Sequence, residues 1–309
     1  MRCILLFVRV KYFYDLMTPE GKGIDMSKVR IMADSTCDLS KELIERYGVE
    51  VLPLNIVMDD TCYLDGRETN PDAIYAWADV NRTTPKTAAP GIEAAMVFLR
   101  PAKEAGDEVC FFGISEQMSA TCQVMRLAAG ELEYEDHVCV IDSMNLSTGI
   151  GLQVLHAAEL AAQGATLKEL EEAAKEYRQR VRASFVVDTL TYLHRGGRCS
   201  SVAALFGNTL KLKPRIAVTA GKMGVSKKYR GNRKKTVLDY VRDMEEELLQ
   251  AERSHIFITH SGIESEIVEA VKSYLESLGR FAEIHETRAG GVISSHCGPG
   301  TLGVLFVEE

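Results

Sequence analysis

Apolar positions in this chain follow two periods, and the two alternate. Val29–Ala33 is a short, mainly apolar run and reads as a buried strand. Helical spacing follows from Ser40, a good N-cap, to Tyr47, with Gly48 as the stop. An extended apolar run covers Val49–Val57, and Asn70-Pro71 opens a helix to about Asp79 with proline at its first position. Arg82–Pro90 reads as a loop. Helix 91–105, strand 109–114, helix 119–130, strand 137–141 and helix 146–163 come next. Strands alternating with helices at this spacing predict a parallel sheet with helices on both faces.

The second half has another rhythm. An amphipathic helix spans 166–182, then a strand 184–187, then short helical pieces from Leu190 to Leu205 around Gly196-Gly197. Arg215–Ala220 and Gly224–Tyr229 flank Gly221-Lys222-Met223 and read as a hairpin. Helix 234–250, strand 255–259, helix 263–278 and strands 281–287 and 302–307 complete it. The expected fold is α/β: a Rossmann-like N-terminal domain with a parallel sheet (27–165) and a mixed α+β C-terminal domain (166–309). Gln163-Gly164 breaks two helices at the boundary. Residues 1–26 lack this periodicity and read as an N-terminal extension, with Met26 a candidate start. Cys3–Val8 is too short for a signal-peptide core.

Composition narrows the function classes. The 309 residues suffice for two domains and a substantial core. A formal charge of −8 argues against wholesale nucleic-acid binding, and no apolar run approaches the length of a membrane span. Eight cysteines show no C-x-x-C pair or paired metal spacing, and read as small buried hydrophobes of a reducing cytoplasm. No cofactor or metal motif is present: Gly149-Ile150-Gly151 is a fragment of a dinucleotide fingerprint, and Gly113-Ile114-Ser115-Glu116-Gln117 fails the nucleophile elbow at its last position.

Candidate chemistry sits where ligands of parallel sheets bind, at the carboxyl ends of the strands. Three ends carry hydroxyls before a helix: Asp34-Ser35-Thr36, Ser115 leading to Ser119, and Asp142-Ser143. Each offers side-chain donors and free backbone N–H groups to an anion, or simply caps its own helix. Near the C-terminus, His296 lies among glycines on what reads as a loop before the last strand, able to offer a ring N–H to something small and polar. Leu193-His194-Arg195-Gly196-Gly197-Arg198 is a basic glycine turn that holds an anion or braces two domains. Lys227–Lys235 carries six positive charges in nine residues, a solvated loop or a docking patch for an acidic partner.

Taken in order, these segments resemble the DegV family. Asp34-Ser35-Thr36-Cys37-Asp38-Leu39 resembles its opening D-S-x-x-D-L, and Asp65-Gly66 and Thr87-x-x-Pro90 its next signatures. Ser115-x-x-Met118-Ser119-x-Thr121 is similar to S-x-x-L-S-G-T. Leu193-x-x-Gly196-Gly197-Arg198, Lys213-Pro214, Gly221, Arg230-Gly231 and His296-Cys297-Gly298-Pro299-Gly300 follow in family order. The resemblance implies a two-domain bacterial protein that binds a long-chain fatty acid in a tunnel between domains. It places the carboxylate on Thr87, Ser119 and His296, with Ser115, Ala120 and Arg198 as a secondary pocket. It also implies a protein partner, a fatty acid kinase that makes acyl-phosphate, with Arg230 on the docking face. A lipid ligand further implies transient contact with a membrane surface. The chain departs from the pattern at Thr87-Ala88-Ala89-Pro90, where T-S-Q-P is usual, and at Ala120, where glycine is usual.

Elementary energetics agrees with a carrier that is not an enzyme. A buried carboxylate needs several donors, and some fifteen buried methylenes contribute roughly 12 kcal/mol gross at about 0.8 each, much of it offset by ordering and association entropy. Two other classes compete: a serine hydrolase or acyltransferase using Ser119 and His296, and a binder of phosphorylated metabolites using the same helix N-termini.

Overall fold

The computed structural model describes residues 28–202 and 212–309. The readings of 1–26 as an extension, and of the last residues of 190–205 as helical, lie outside the described residues.

Three sheets organise the chain. The first is parallel, in the order β2 (Glu50–Leu52), β1 (Val29–Asp34), β6 (Glu108–Gly113), β7 (Val138–Asp142), with Ile31 paired to Cys110 and Cys110 to Cys139. Period-two alternation gives each strand two buried faces. Met32, Val109 and Phe111 point to the helices Ile92–Ala105 and Thr121–Glu131, against Leu99 and Met125. Ile31, Ala33, Cys110 and Phe112 point the other way, to Ile150, Leu155 and Leu170 on the helices Thr148–Ala162 and Leu167–Arg180. The mainly apolar runs of the sequence are this two-sided burial.

The second sheet has six strands: β10 (Lys222–Tyr229), β9 (Lys213–Thr219), β8 (Val181–Val186), β13 (Leu302–Val307), β11 (His255–His260) and β12 (Glu283–Arg288). Only β11 and β12 run parallel. The helix Thr148–Ala162, buried along most of its length, packs on both sheets, so one core runs from Phe112 through Ile150 to Phe185, Phe257 and Leu305. The far face packs Val304 and Phe306 against Val237, Tyr240 and Val271.

Local signals place most boundaries. Ser40 accepts from Leu43 N at 3.2 Å, Asn70 from Ala73 N at 3.0 Å and Asn232 from Lys235 N at 2.8 Å, and Thr166 with Glu169 forms a capping box. The hairpin turns at Ala220-Gly221, both at positive φ (48° and 77°), as a twist-matched two-residue turn requires.

Four expectations are corrected. The run 49–57 is two strands in different sheets, because the chain turns at Pro53-Leu54 and β3 (Asn55–Met58) leaves the parallel sheet. Thr87 is not on a loop: β5 (Lys86–Ala88) pairs with β3, Ile56 opposite Thr87, in a small antiparallel sheet completed by β4 (Thr61–Leu64). His296 is not on a loop either, because Gly291–Cys297 is helical despite its glycines. The helix read at 234–250 is broken at Asp243-Met244 into Arg233–Arg242 and Glu245–Leu249.

Candidate functional site

The helix Gly291–Cys297 has no capping side chain of its own. Two buried carboxylates supply the missing acceptors. Asp38 accepts from Gly290 N and Asp65 from Gly291 N, each at 2.8 Å. Both are held in turn by hydroxyls, Ser147 on Asp38 at 2.5 Å and Ser35 on Asp65 at 2.8 Å. Negative charge at a helix N-terminus is favourable, but these groups are dry and close together. Burial, with repulsion from Asp65 and Asp34, pushes the Asp38 carboxyl up to about 8. Burial also raises Asp65, and lifts Asp34 to about 6 against the hydrogen bonds it accepts from Thr36 and Ile114.

Strand β1 therefore ends on an anion of its own making: Asp34 takes the N–H groups of Thr36 (2.9 Å) and Ile114 (2.8 Å). Strand β7 does the same, Asp142 accepting from Met144 N at 2.9 Å and Glu116 N at 3.2 Å. Of the three strand ends read as anion sites, the one after β6 is left facing a cavity.

That cavity has a volume of about 320 Å³, at the small end of ligand sites. Thr87, Ser119, Ala120, Arg198 and His296 line it together, brought from β5, the start of the helix Thr121–Glu131, the basic glycine turn and the helix Gly291–Cys297. The rest of the wall is chiefly apolar, including Leu54, Ile114, Met118, Leu146, Met223 and Ile293. Leu146, Ile293 and Cys297 also border a narrow apolar gap of about 20 Å³ that reaches Phe185 and Leu305 in the six-stranded sheet.

Thr87 Oγ1 and His296 Nε2 lie 2.7 Å apart. The other ring nitrogen, Nδ1, is buried with no hydrogen-bond partner and faces Gly196, where a Cβ would overlap it. The ring lines the cavity. Burial, and then the charge of Arg198, lowers the His296 pKa to about 4, so the ring is neutral near pH 7. Arg198 is exposed at the rim, with Nη1 donating to Gly196 O at 2.8 Å. The basic turn seats the histidine ring at Gly196 and brings the Arg198 guanidinium to the cavity.

Ser119 Oγ lies 2.9 Å from Thr121 Oγ1 and accepts weakly from Thr121 N at 3.4 Å. It precedes a helix whose N-cap, Ala120, offers no side-chain acceptor. Ser119 thus takes the first N–H of that helix only weakly, and Ala120 takes none with its side chain. It is Thr87, not Ser119, that stands on His296 Nε2, and among the described residues no carboxylate orients Nδ1. A nucleophile–base–acid relay needs both contacts.

Two expected site residues stand apart. Ser115 does not line the cavity. It is fully buried and donates to Gly221 O at 2.8 Å, tying the β9–β10 turn to the end of β6. Gly221 cannot carry a side chain there, since a Cβ would press on Ser115 Oγ and the φ is positive. Arg230 is exposed after β10, away from the cavity lining. Its neighbours are largely neutralised within the chain: Lys227 pairs with Asp243 at 2.5 Å, Arg233 with Asp188 and Glu264, Lys234 with Glu266 and Lys235 with Asp239. The net positive field of the run is far weaker than six charges suggest.

Sequence reasoning missed Asp38 and Asp65 as anchors of the histidine helix and Gly196 as the seat of its ring. The family motifs contained all three, but a motif does not say which partner a buried carboxylate meets.

Residues 28–309 match the family model described as "Uncharacterised protein, DegV family". A DegV domain-containing protein of Clostridium perfringens is 35% identical over 285 residues, 92% of this chain and all of the relative. Among solved structures, a fatty-acid-binding DegV family protein from Thermus thermophilus is 30% identical with a TM-score of 0.83, covering 91% of this chain and 100% of its own. A stearic-acid-binding protein from Eubacterium ventriosum is 25% identical with a TM-score of 0.80, covering 92% and 98%. No helix among the described residues is long and apolar enough to cross a membrane.

Proposed function

The chain belongs to the DegV family, and from that premise we propose that it binds a long-chain fatty acid, with the carboxylate at Thr87, Ser119 and His296 and the acyl chain directed inward. The observation that carries this reading is the polarity of one cavity. Two hydroxyls, a neutral histidine and a helix N-terminus line it, the rest of the wall is chiefly apolar, and Leu146, Ile293 and Cys297 carry that wall on into an apolar gap. Near neutral pH the imidazole carries its one proton on Nε2 and donates it to Thr87 Oγ1, which leaves the Thr87 hydroxyl proton, with that of Ser119, for a desolvated carboxylate. Arg198 at the rim adds favourable charge. The apolar gap of about 20 Å³ is too narrow for a chain as it stands. Leu146 and Ile293 must part for the ligand, so affinity is set by acyl burial less the cost of opening.

The function is carriage. The bound acid is presented to a fatty acid kinase, Arg230 lies on the docking face, and the protein itself performs no bond chemistry. Purified protein should yield fatty acid on organic extraction, near one per chain by mass spectrometry, and delipidated protein should rebind it. Delipidated protein that ignores long-chain acids but binds a phosphorylated metabolite would overturn the reading.

A further inference from the structure

Far from this cavity, three potential metal ligands converge. Strands β11 and β12 are parallel with His255 opposite Glu283 and Phe257 opposite His285, so His255, Glu283 and His285 share one face. His255 Nδ1 and His285 Nε2 are 3.0 Å apart, and His285 Nε2 is 3.8 Å from a Glu283 oxygen. One ligand atom from each residue lies within 4.8 Å of the others. The two imidazoles are 7% and 12% exposed, enclosed by Tyr47 at the edge of His255 and by Phe257 against His285. None of these residues lines the candidate fatty-acid cavity.

We propose that His255, Glu283 and His285 form a site for a divalent cation of the zinc class, bound through His255 Nδ1, His285 Nε2 and one Glu283 oxygen, with a fourth position open. The donor set of two imidazoles and one carboxylate suits Zn²⁺ and its first-row neighbours rather than Ca²⁺ or Mg²⁺. The spacing fits: two nitrogens at about 2.0–2.1 Å from a tetrahedral ion stand roughly 3.3 Å apart, close to the 3.0 Å between the two rings.

The surroundings also fit. Glu159, on the helix Thr148–Ala162, accepts from His255 Nε2 at 3.1 Å and is itself held by Tyr47 at 3.2 Å. With its proton on Nε2, His255 turns a bare Nδ1 lone pair toward His285. A carboxylate behind a ligating histidine, fixing its tautomer, is the usual outer shell of such sites. Metal-free, His285 Nε2–H donates to that lone pair. On binding, the proton moves to His285 Nδ1 and both lone pairs face the ion, with no net proton released. Arg46 opposes the ion: its guanidinium grips both oxygens of Glu283, at 2.7 and 2.8 Å, and competes for that ligand. The cation would fasten β11 and β12 beside the helices Lys41–Tyr47 and Thr148–Ala162.

The test is calorimetric titration of ZnCl₂ into chelator-stripped full-length protein. One ion per chain is expected, with a Tm that climbs with zinc concentration by mass action. Co²⁺ in place of Zn²⁺ should give the visible absorption of a tetrahedral site. His255→Ala and His285→Ala should abolish binding. Should either fail to fold, two variants at more exposed positions decide. Glu159→Gln should weaken zinc about 10–100-fold, as loss of an outer-shell partner does, and Arg46→Ala should tighten it by freeing Glu283. Absence of zinc binding by the parent, binding that persists in both histidine variants, or affinity unmoved by both Glu159→Gln and Arg46→Ala would reduce the cluster to a hydrogen-bonded chain.

Discussion

Replacing Gly196 with alanine tests the placement of the headgroup without touching a polar group. The backbone at Gly196 is helical, so alanine costs nothing there by conformation. The new Cβ meets the His296 ring. It would overlap Nδ1 and lie 3.1 and 3.3 Å from Cε1 and Cγ. Near-equal distances to those two carbons put the methyl straight out from Nδ1, in the plane of the ring. Restoring ordinary van der Waals contact requires the ring to retreat by about 1 Å. It cannot slide toward Thr87, already 2.7 Å from Nε2, so it must swing aside. A 1 Å swing carries the contact beyond hydrogen-bonding range. The Thr87 hydroxyl then loses the acceptor role that aims its proton, and the bound carboxylate loses that donor. A hydrogen bond to a charged group contributes about 1.5–3 kcal/mol, so affinity should fall roughly ten- to hundredfold. The assay is titration of delipidated Gly196→Ala and parent with a fluorescent fatty acid, with Tm measured on both. Gly197→Ala is the control. It strains a left-handed residue (φ 68°) but meets nothing within 4 Å, so it should lower Tm and spare affinity. Full affinity in Gly196→Ala at unchanged Tm would refute the assignment of His296 to the headgroup.

Other outcomes follow from the same geometry. Thr87→Ala and Ser119→Ala should each weaken fatty-acid binding about ten- to hundredfold, with Tm nearly unchanged in Ser119→Ala and lowered in Thr87→Ala, where His296 Nε2 loses its partner, and unchanged affinity in both would displace the carboxylate from these residues. Ser115→Ala should do the reverse, lowering Tm because Gly221 O loses its buried donor at a cost of about 1–3 kcal/mol, with affinity preserved; a selective loss of affinity would return Ser115 to the pocket. Asp38 keeps its proton up to about pH 8 in the folded chain but loses it near 4 when unfolded, so the stability present below about pH 4 is lost as pH rises through 8. Asp38→Asn should flatten the fall of Tm between about pH 5 and 8, and an identical slope in the variant would show that Asp38 is ionised throughout. Arg230→Ala should leave lipid affinity alone and slow acyl-phosphate formation by the host's fatty acid kinase; equal turnover would leave Arg230 a solvated residue.

Much of the fold was legible because its signals are local. Ser40, Asn70 and Thr166 are caps whose side chains bond N–H groups three residues away, and such pairs show in the sequence. The short antiparallel sheet was not legible. Thr87 is in a strand only because Ile56, thirty-one residues earlier, pairs with it, and nothing between Arg82 and Pro90 alternates. The helix Gly291–Cys297 escaped for a related reason. Its glycines argue against helix on propensity, and what overrides propensity is remote: two carboxylates from residues 38 and 65 take its first N–H groups. The basic run shows the limit of counting charges. Lys227, Arg233, Lys234 and Lys235 find acidic partners within the fold, and such pairings cannot be read from a list of lysines.

The acids explain why the histidine needs no acid of its own. In a catalytic relay a carboxylate holds the base by Nδ1 and supports the charge it gains. Here Nδ1 is pressed against Gly196, and the carboxylates act one step removed. Asp38 and Asp65 fix the helix, Gly196 fixes the ring upon it, and Thr87 fixes the height of Nε2 in the cavity. The result is a neutral donor held rigidly with no means of storing a second proton cheaply. On the proposed reading, that suits an anion held without being attacked. On the same reading it also separates headgroup geometry from chain selection: the polar contacts are set by residues spread from 38 to 296, whereas Leu146, Ile293 and Cys297 border both the cavity and the apolar gap. Substitutions at Leu146 or Ile293 should therefore change which acyl chains are accepted while the carboxylate contacts of Thr87 and His296 persist.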